Sequence, residues 1–248
     1  MQPNSETEEF IALKEKAFEL MQDAGFPVKN VSVVLDESLP YMGHTTEVNG
    51  VPLVVVSGMA VTSGMALNLM IHELGHVYRT QSGHPSHSPS LILSVIAWVM
   101  HGKVVEKYQE ELLYGIINHL QDLYSDDIFF KIFDKGMADE NINEFFLGWI
   151  HKPVKTIKSK KSSWTNASYL LSAAFAQANL YRHNVEDVDG LVGKAVKKFL
   201  GQIDQRMAVN YEFFKNLMIN LPEKVTKKEY EKLLIKYLSE FLKLANGV

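Results

Sequence analysis

Residues 70–77 of this chain read Met-Ile-His-Glu-Leu-Gly-His-Val, and this stretch carries the strongest structural and chemical signal in the sequence. On an α-helix, positions i and i+4 lie about 40° apart around the axis, so His72 and His76 can both reach one metal ion. Glu73 lies about 100° from His72, beside the ion and angled toward a water bound there. The spacing therefore predicts a helical metal site with Glu73 as general base.

The segment before this helix has the period of β-structure. Val31, Val33 and Leu35 alternate with polar residues, and residues 51–56 are rich in valine. Asn49-Gly50 favours a hairpin turn, because both residues tolerate positive φ. We predict a small antiparallel sheet over residues 28–58, with residues 51–56 as the strand nearest the motif helix and along one wall of the cleft.

The rest of the chain has helical periodicity, so the predicted fold class is α+β, with a small antiparallel sheet followed by a mostly helical remainder. Predicted helices cover residues 10–25, 62–79, 91–101, 103–133, 139–150, 164–181, 187–219 and 226–245. A Ser-, His- and Pro-rich loop is expected over residues 80–90, and a solvated, lysine-rich linker over residues 152–163.

Composition excludes several classes of protein. The net charge of −4 gives no electrostatic reason to expect a nucleic-acid partner. The absence of cysteine excludes thiolate chemistry and limits any metal ligands to His, Asp and Glu. The acidic start of the chain lacks the features of a signal peptide, and the apolar run from Leu91 to Met100 is far shorter than a bilayer span of about 20 residues. We therefore expect a soluble, cytoplasmic protein with no membrane partner.

The motif resembles that of the HExxH zinc metallopeptidases, the zincins, over roughly residues 28–130. The resemblance implies one Zn²⁺ per chain and a sheet whose edge strand aligns a peptide or protein substrate beside the motif helix. It also implies a zincin-like catalytic region over residues 1–151, comprising the sheet at 28–58, the motif helix at 62–79 and a third-ligand helix at 103–133. The helical region 164–248 is expected to pack on it as one unit. The oligomeric state is not predicted.

The third zinc ligand is predicted on the helix at 103–133. The long-motif subfamily, the metzincins, would place Gly and His where this chain has Arg79 and Ser82, so it is excluded. Gluzincins take an acidic ligand from a later helix, with an Asp four residues on that orients the first motif histidine, and aspzincins use Asp as ligand. On that pattern Asp122 is the third ligand and Asp126 the orienting residue.

The residues themselves also point to this helix, because Asn118, Asp122 and Asp126 share one face next to an apolar face made of Ile116, Ile117, Leu120 and Leu123. Buried carboxylates are costly without partners, and a zinc ion and its imidazole ligand would supply them. Alternatives that remain open for the third ligand are Asp126 or His119, and His84 or His87 in the loop.

The predicted function is that of a zinc-dependent metallohydrolase, specifically a soluble peptidase. Zinc would polarise the scissile carbonyl and acidify a water, and Glu73 would take the proton and pass it to the leaving amine. By the same resemblance, a Tyr or His would stabilise the oxyanion, with Tyr169, Tyr181 and His183 as candidates. Alternatives are a hydrolase of non-peptide amides or esters and a non-catalytic zinc-binding partner protein.

Overall fold

A computed structural model of the chain describes residues 7–133, 140–155 and 159–247. Its described part is α+β, as predicted, with one three-stranded sheet. The elements are α1 (Glu8–Asp23), β1 (Ser32–Asp36), β2 (Gly43–Val48), β3 (Val51–Ser57), α2 (Gly58–Thr62), α3 (Ala66–Gln81), a 3-10 helix (Pro85–His87), α4 (Pro89–Val99), α5 (Lys107–Ile132), α6 (Glu140–Leu147), α7 (Lys160–His183), a second 3-10 helix (Val188–Gly190), α8 (Leu191–Leu200), α9 (Gln205–Ala208), α10 (Tyr211–Ile219) and α11 (Lys227–Asn246). Among the described helices, none is long and apolar enough to cross a membrane.

The chain divides into two compact units, Met1–His87 with Tyr124–Asp134, and Ser88–Leu123 with Lys135–Val248. The first unit packs α1, the sheet, α3 and the end of α5 around one core. Its buried members are mainly aliphatic, with aromatic rings from α1 and α5, and include Phe10, Met21, Val54, Val56, Met70, Ile71, Leu74, Val77, Ile128 and Phe129.

The sheet is mixed, so the prediction of an antiparallel sheet was wrong for one of its two strand pairs. The order is β1-β3-β2, with β1 parallel to β3 and β2 antiparallel to β3. Asn49 and Gly50 have φ values of 53° and 78° and join β2 to β3 in the predicted hairpin. Because β3 is paired on both sides, β2 is the edge strand on the hairpin side. Residues 51–56, which were predicted to be the strand nearest the motif helix, form the central strand, and both β2 and β3 pack against α3.

The motif helix is preceded by a break that the prediction of one helix over 62–79 did not include. Helix α2 ends at Thr62, and Gly64 takes a φ of 74°, a conformation that favours glycine, before α3 begins at Ala66. Helix α3 then buries Met70, Leu74 and Val77 against the core of the first unit.

The second unit is helical and organised around α7. Thirteen residues of α7 are buried, five of them alanines, so the neighbouring helices α8, α10 and α11 can pack on several of its sides. Ser159 and Ser162 form a capping box that begins α7 at Lys160, within the stretch predicted to be a linker. Helix α4 was predicted to be a buried helix, but Leu93 and Trp98 are exposed on one side of it.

The prediction of one long helix over residues 187–219 was also wrong. Its apolar period continues, but the chain forms a 3-10 helix followed by α8, α9 and α10. Helix α8 ends at a cap on Gly201, and Asp204 begins α9 by accepting a hydrogen bond from the Arg206 backbone. Three predictions extend beyond the described residues. The undescribed parts are residues 1–6 of the acidic start, residue 139 of the helix predicted at 139–150, and residues 156–158 of the predicted linker.

Candidate metal centre

Helix α3 brings the two motif histidines together. Its apolar residues face the core, so His72 and His76 project from the opposite side, one turn apart. Their Nε2 atoms are 3.1 Å apart and their ring centroids 4.8 Å apart. Two imidazole nitrogens this close together can both serve as ligands of a single ion when neither carries a proton.

The carboxylate of Asp122 completes a group of three potential ligands. One ligand atom from each of His72, His76 and Asp122 lies within 4.8 Å of the other two, and all three side chains are half-buried. Asp122 stands one turn before Asp126 on α5, a helix that continues without a break into the first unit. Two imidazoles and a carboxylate form a donor set that Zn²⁺ accepts, with a fourth position left open.

Asp126 contacts the ring nitrogen of His72 that faces away from this group. The distance from Asp126 Oδ1 to His72 Nδ1 is 2.8 Å, and Asp126 is buried. A carboxylate there accepts a hydrogen bond from Nδ1–H, which leaves the Nε2 lone pair of His72 available to a metal. This is the contact that the orienting role predicted for Asp126 requires.

His76 has a corresponding partner, which is a histidine. His87 Nε2 lies 2.8 Å from His76 Nδ1, and Ser86 Oγ lies 2.7 Å from His87 Nδ1. Ser86 and His87 are buried in the 3-10 helix, whereas the sequence suggested a polar loop. Burial lowers the pKa of His87 well below its usual value, and the nearby His76, His84 and Arg79 lower it further. His87 is therefore neutral at physiological pH.

The general base predicted at Glu73 is buried and held by the edge strand. Thr45, on β2, donates a hydrogen bond from its hydroxyl to Glu73 Oε2 at 2.7 Å. The same hydroxyl is 3.2 Å from the Glu73 backbone carbonyl. Thr45 pairs with Val54 across β2 and β3, so its position is fixed by the sheet.

Close packing between α3 and the end of α5 sets the geometry of the centre. A side chain on Gly75 would collide with Ser125, and the Ser125 hydroxyl donates a short hydrogen bond to the backbone carbonyl of His72. Arg79 Nε donates to the Tyr124 carbonyl at 2.9 Å. These contacts fix the rotation of the helix that carries Asp126 relative to the helix that carries His72.

The other residues singled out from the sequence have different surroundings. His119 is buried in the second unit between Phe175 and Trp149, with ring centroids 5.2 and 5.5 Å away. Tyr169, Tyr181 and His183 lie on α7: Tyr169 packs on His151, Tyr181 is 61% exposed, and His183 Nδ1 is 3.0 Å from the Asn179 carbonyl. Asn118 is exposed on α5.

Sequence reasoning missed the roles of Thr45, Ser125 and the 3-10 helix. A serine directly before Asp126 and a threonine in a strand that precedes the motif carry no distinctive pattern. His84 and His87 were considered as possible ligands, but the prolines around them indicated only an irregular loop.

The chain was compared with protein families, curated proteins and solved structures. No curated protein and no solved structure matches it. One family model matches residues 4–243, which is nearly the whole chain. The chain belongs to that family, DUF5781, which is described as a family of unknown function.

Proposed function

We propose that this protein is a zinc-dependent metallohydrolase of zincin type that cleaves peptide bonds. The observation that carries the proposal is the group of His72, His76 and Asp122, whose ligand atoms lie within 4.8 Å of one another, with the buried Glu73 next to His72 on the same helix. A structural zinc site is usually closed by four ligands and often by cysteine, whereas a three-ligand His and Asp set beside a carboxylate suits catalysis.

The residues present fit zinc. Nitrogen and oxygen donors of this kind are its usual non-thiolate ligands, and the Nδ1 atoms of both histidines have partners, which leaves Nε2 for the ion. Bound there, zinc would act as a Lewis acid toward a carbonyl and would acidify a water. His72, His76 and Asp122 would hold it.

The chain's own residues supply the proton chemistry. Glu73 accepts a proton from the attacking water and delivers it to the leaving amine. The hydroxyl of Thr45 orients the Glu73 carboxylate and keeps one of its oxygens hydrogen-bonded, so the other oxygen is available for the proton. Removal of such a base typically lowers the rate about 10²–10⁴-fold.

Strand β2 supports a peptide as the substrate. It is paired with β3 on one side, and Thr45 places it directly beside Glu73. An extended peptide can add to a free strand edge through backbone hydrogen bonds, which would align its scissile bond along this edge. This support is specific to peptides, because a small amide or ester has no backbone to pair.

Metal analysis of the purified protein and cleavage of a peptide library would test the proposal together. We expect about one zinc per chain, loss of zinc in His72→Ala and His76→Ala, and cleavage that Glu73→Gln eliminates while it retains zinc. Glu15→Gln, the same substitution at an exposed site on α1, is the matched control and should cleave normally. Full activity of Glu73→Gln would disprove the base assignment, and a zinc-free wild-type protein would disprove the metal centre.

A further inference from the structure

The 3-10 helix after α3 contains a line of contacts that ends on the motif histidine His76. His76 Nδ1 is 2.8 Å from His87 Nε2, His87 Nδ1 is 2.7 Å from Ser86 Oγ, and Ser86 Oγ is 2.7 Å from His84 Nδ1. Ser86 is 0% and His87 8% exposed. Water therefore competes little for these hydrogen bonds.

A neutral imidazole has one donor and one acceptor nitrogen. The position of the proton on His76 therefore determines which atom donates and which accepts in each hydrogen bond of the line. If His76 binds a metal through Nε2, its proton must be on Nδ1 and must point to His87 Nε2. His87 then carries its proton on Nδ1 and donates it to Ser86 Oγ. The Ser86 hydroxyl in turn donates to His84 Nδ1, so every contact has one donor and one acceptor.

The opposite direction is incompatible with metal binding through Nε2. A proton on His87 Nε2 would have to be donated to His76 Nδ1, which would place the proton of His76 on Nε2. That nitrogen could not then coordinate an ion. With the line in the first direction, His87 Nε2 accepts the His76 proton and His87 Nδ1 carries a proton of its own, so neither nitrogen of His87 has a lone pair left for the ion.

We infer that His87 is a positioning residue that holds His76 in the tautomer and ring orientation needed to bind the metal, as Asp126 does for His72. This inference rests on the proposed metal centre. It gives the two motif histidines chemically different supports, a carboxylate behind His72 and a neutral imidazole behind His76. A neutral support holds the ring without adding another negative charge near Asp122 and Asp126.

Two substitutions separate the hydrogen bond from the bulk of the side chain. His87→Leu fills much of the same space but cannot accept a hydrogen bond. His87→Gln retains an acceptor oxygen at about the distance of Nε2 from the backbone. His101→Leu, at an exposed histidine outside the line, is the matched control. Far-UV circular dichroism and thermal unfolding of the metal-free proteins would show which variants fold.

Zinc affinity, measured by competition with a chromophoric chelator, should fall about 10–100-fold in His87→Leu, the usual cost of losing a group that orients a ligand. His87→Gln and His101→Leu should have zinc affinities near that of the unsubstituted protein. Nitrogen-15 NMR of the zinc-loaded protein should show His76 and His87 both protonated at Nδ1, with the His76 signal shifted in His87→Leu and restored in His87→Gln. If His87 only filled space, the His76 signal would not shift in His87→Leu and return in His87→Gln.

The outcomes distinguish this inference from the proposed function. Tight zinc binding that is unchanged in His87→Leu would overturn the role of His87 alone, and so would equal losses in the Leu and Gln variants. If His87→Leu does not fold, the tautomer in the unsubstituted protein decides: a His87 proton on Nδ1 supports the inference and one on Nε2 overturns it. Failure of the unsubstituted protein to bind zinc would overturn the metal centre and, with it, this inference.

Discussion

Each motif histidine uses its two ring nitrogens differently. The Nε2 atoms of His72 and His76 converge, while their Nδ1 atoms contact Asp126 and His87. The two aspartates of α5 also have different surroundings. Asp122 belongs to the group of potential ligands, whereas Asp126 contacts the Nδ1 atom of His72. If the proposed metal centre is correct, we expect these residues, one helical turn apart, to have separable effects on metal binding.

Zinc titrations of Asp122→Ala and Asp126→Ala would measure that difference. Asp122→Ala should lose most of the zinc affinity, because two remaining protein ligands hold the ion weakly. Asp126→Ala should lose about 10–100-fold, because the His72 ring is then no longer held in the binding tautomer. A larger loss for Asp126→Ala, or no loss for either variant, would contradict the assignment of Asp122 as ligand.

On the proposed function, the Thr45 hydroxyl should affect catalysis separately from metal binding. Thr45→Val keeps the shape of the side chain but removes the hydrogen bond to Glu73, so we expect kcat to fall while zinc affinity is unchanged. Thr45→Ser restores the hydroxyl and should recover most of the rate. Steady-state kinetics on a cleaved peptide would measure both variants, and equal kcat for Val and Ser would show that the hydroxyl has no part in orienting the base.

At the scale of whole elements, Gly75 allows α3 and α5 to lie close together, because it has no side chain. Gly75→Ala would push its methyl group into Ser125, and overpacking of this kind costs about 1–3 kcal/mol. Ser125→Ala should relieve part of the cost, so the double variant should be less destabilised than the sum of the two single variants. Urea unfolding of the metal-free proteins would give these free energies.

Gly115 is the control for that experiment, since it lies on α5 and a methyl group added to it would meet no atom of a neighbouring element within 4 Å. Gly115→Ala should stabilise the protein by about 0.5–1 kcal/mol, because alanine has the higher helix propensity. If Gly75→Ala were as stable as Gly115→Ala, the close approach of the two helices would be disproved.

The elements differ in how much of them could be predicted. The β2–β3 hairpin follows from Asn49-Gly50, which is local, and α3 follows from its apolar period. The parallel partner of β1 could not be predicted, because alternation in residues 31–35 identifies a strand but not its neighbour. The contact from Thr45 to Glu73 joins residues 28 positions apart and depends on which strand is at the edge. Gly201 and Asp204 did carry local signals for a break, which the continuing apolar period of residues 187–219 obscured.

At the scale of the whole molecule, buried histidine makes stability depend on pH. His119 is 4% exposed, its Nε2 is 3.3 Å from Ser172 Oγ, and its Nδ1 has no hydrogen-bond partner among the described residues. Burial, with a smaller contribution from His151, lowers the pKa of His119 from 6.5 to about 3. The folded protein therefore leaves His119 neutral over a pH range in which the unfolded chain binds a proton there.

The sign of the effect follows from linkage. Below about pH 6.5 the unfolded state takes up a proton at His119 that the folded state does not bind until about pH 3, so the stability present above pH 6.5 is lost progressively as the pH falls through this window. For this one residue, the loss between pH 7 and pH 5 is about 2 kcal/mol. His119→Leu removes the titrating group and should abolish that share of the pH dependence.

Urea unfolding of the metal-free protein at pH 7 and pH 5 would measure the effect. His119→Leu should unfold with a stability close to that of the unsubstituted protein at pH 7, because it also removes a buried nitrogen without a partner, and should be the more stable of the two at pH 5. His101→Leu is the control: His101 is exposed in the same unit, and its loss should leave the pH dependence intact. If His119→Leu and the unsubstituted protein lost equal stability between the two pH values, His119 would have to be protonated in the folded state, which is incompatible with its burial between Trp149 and Phe175.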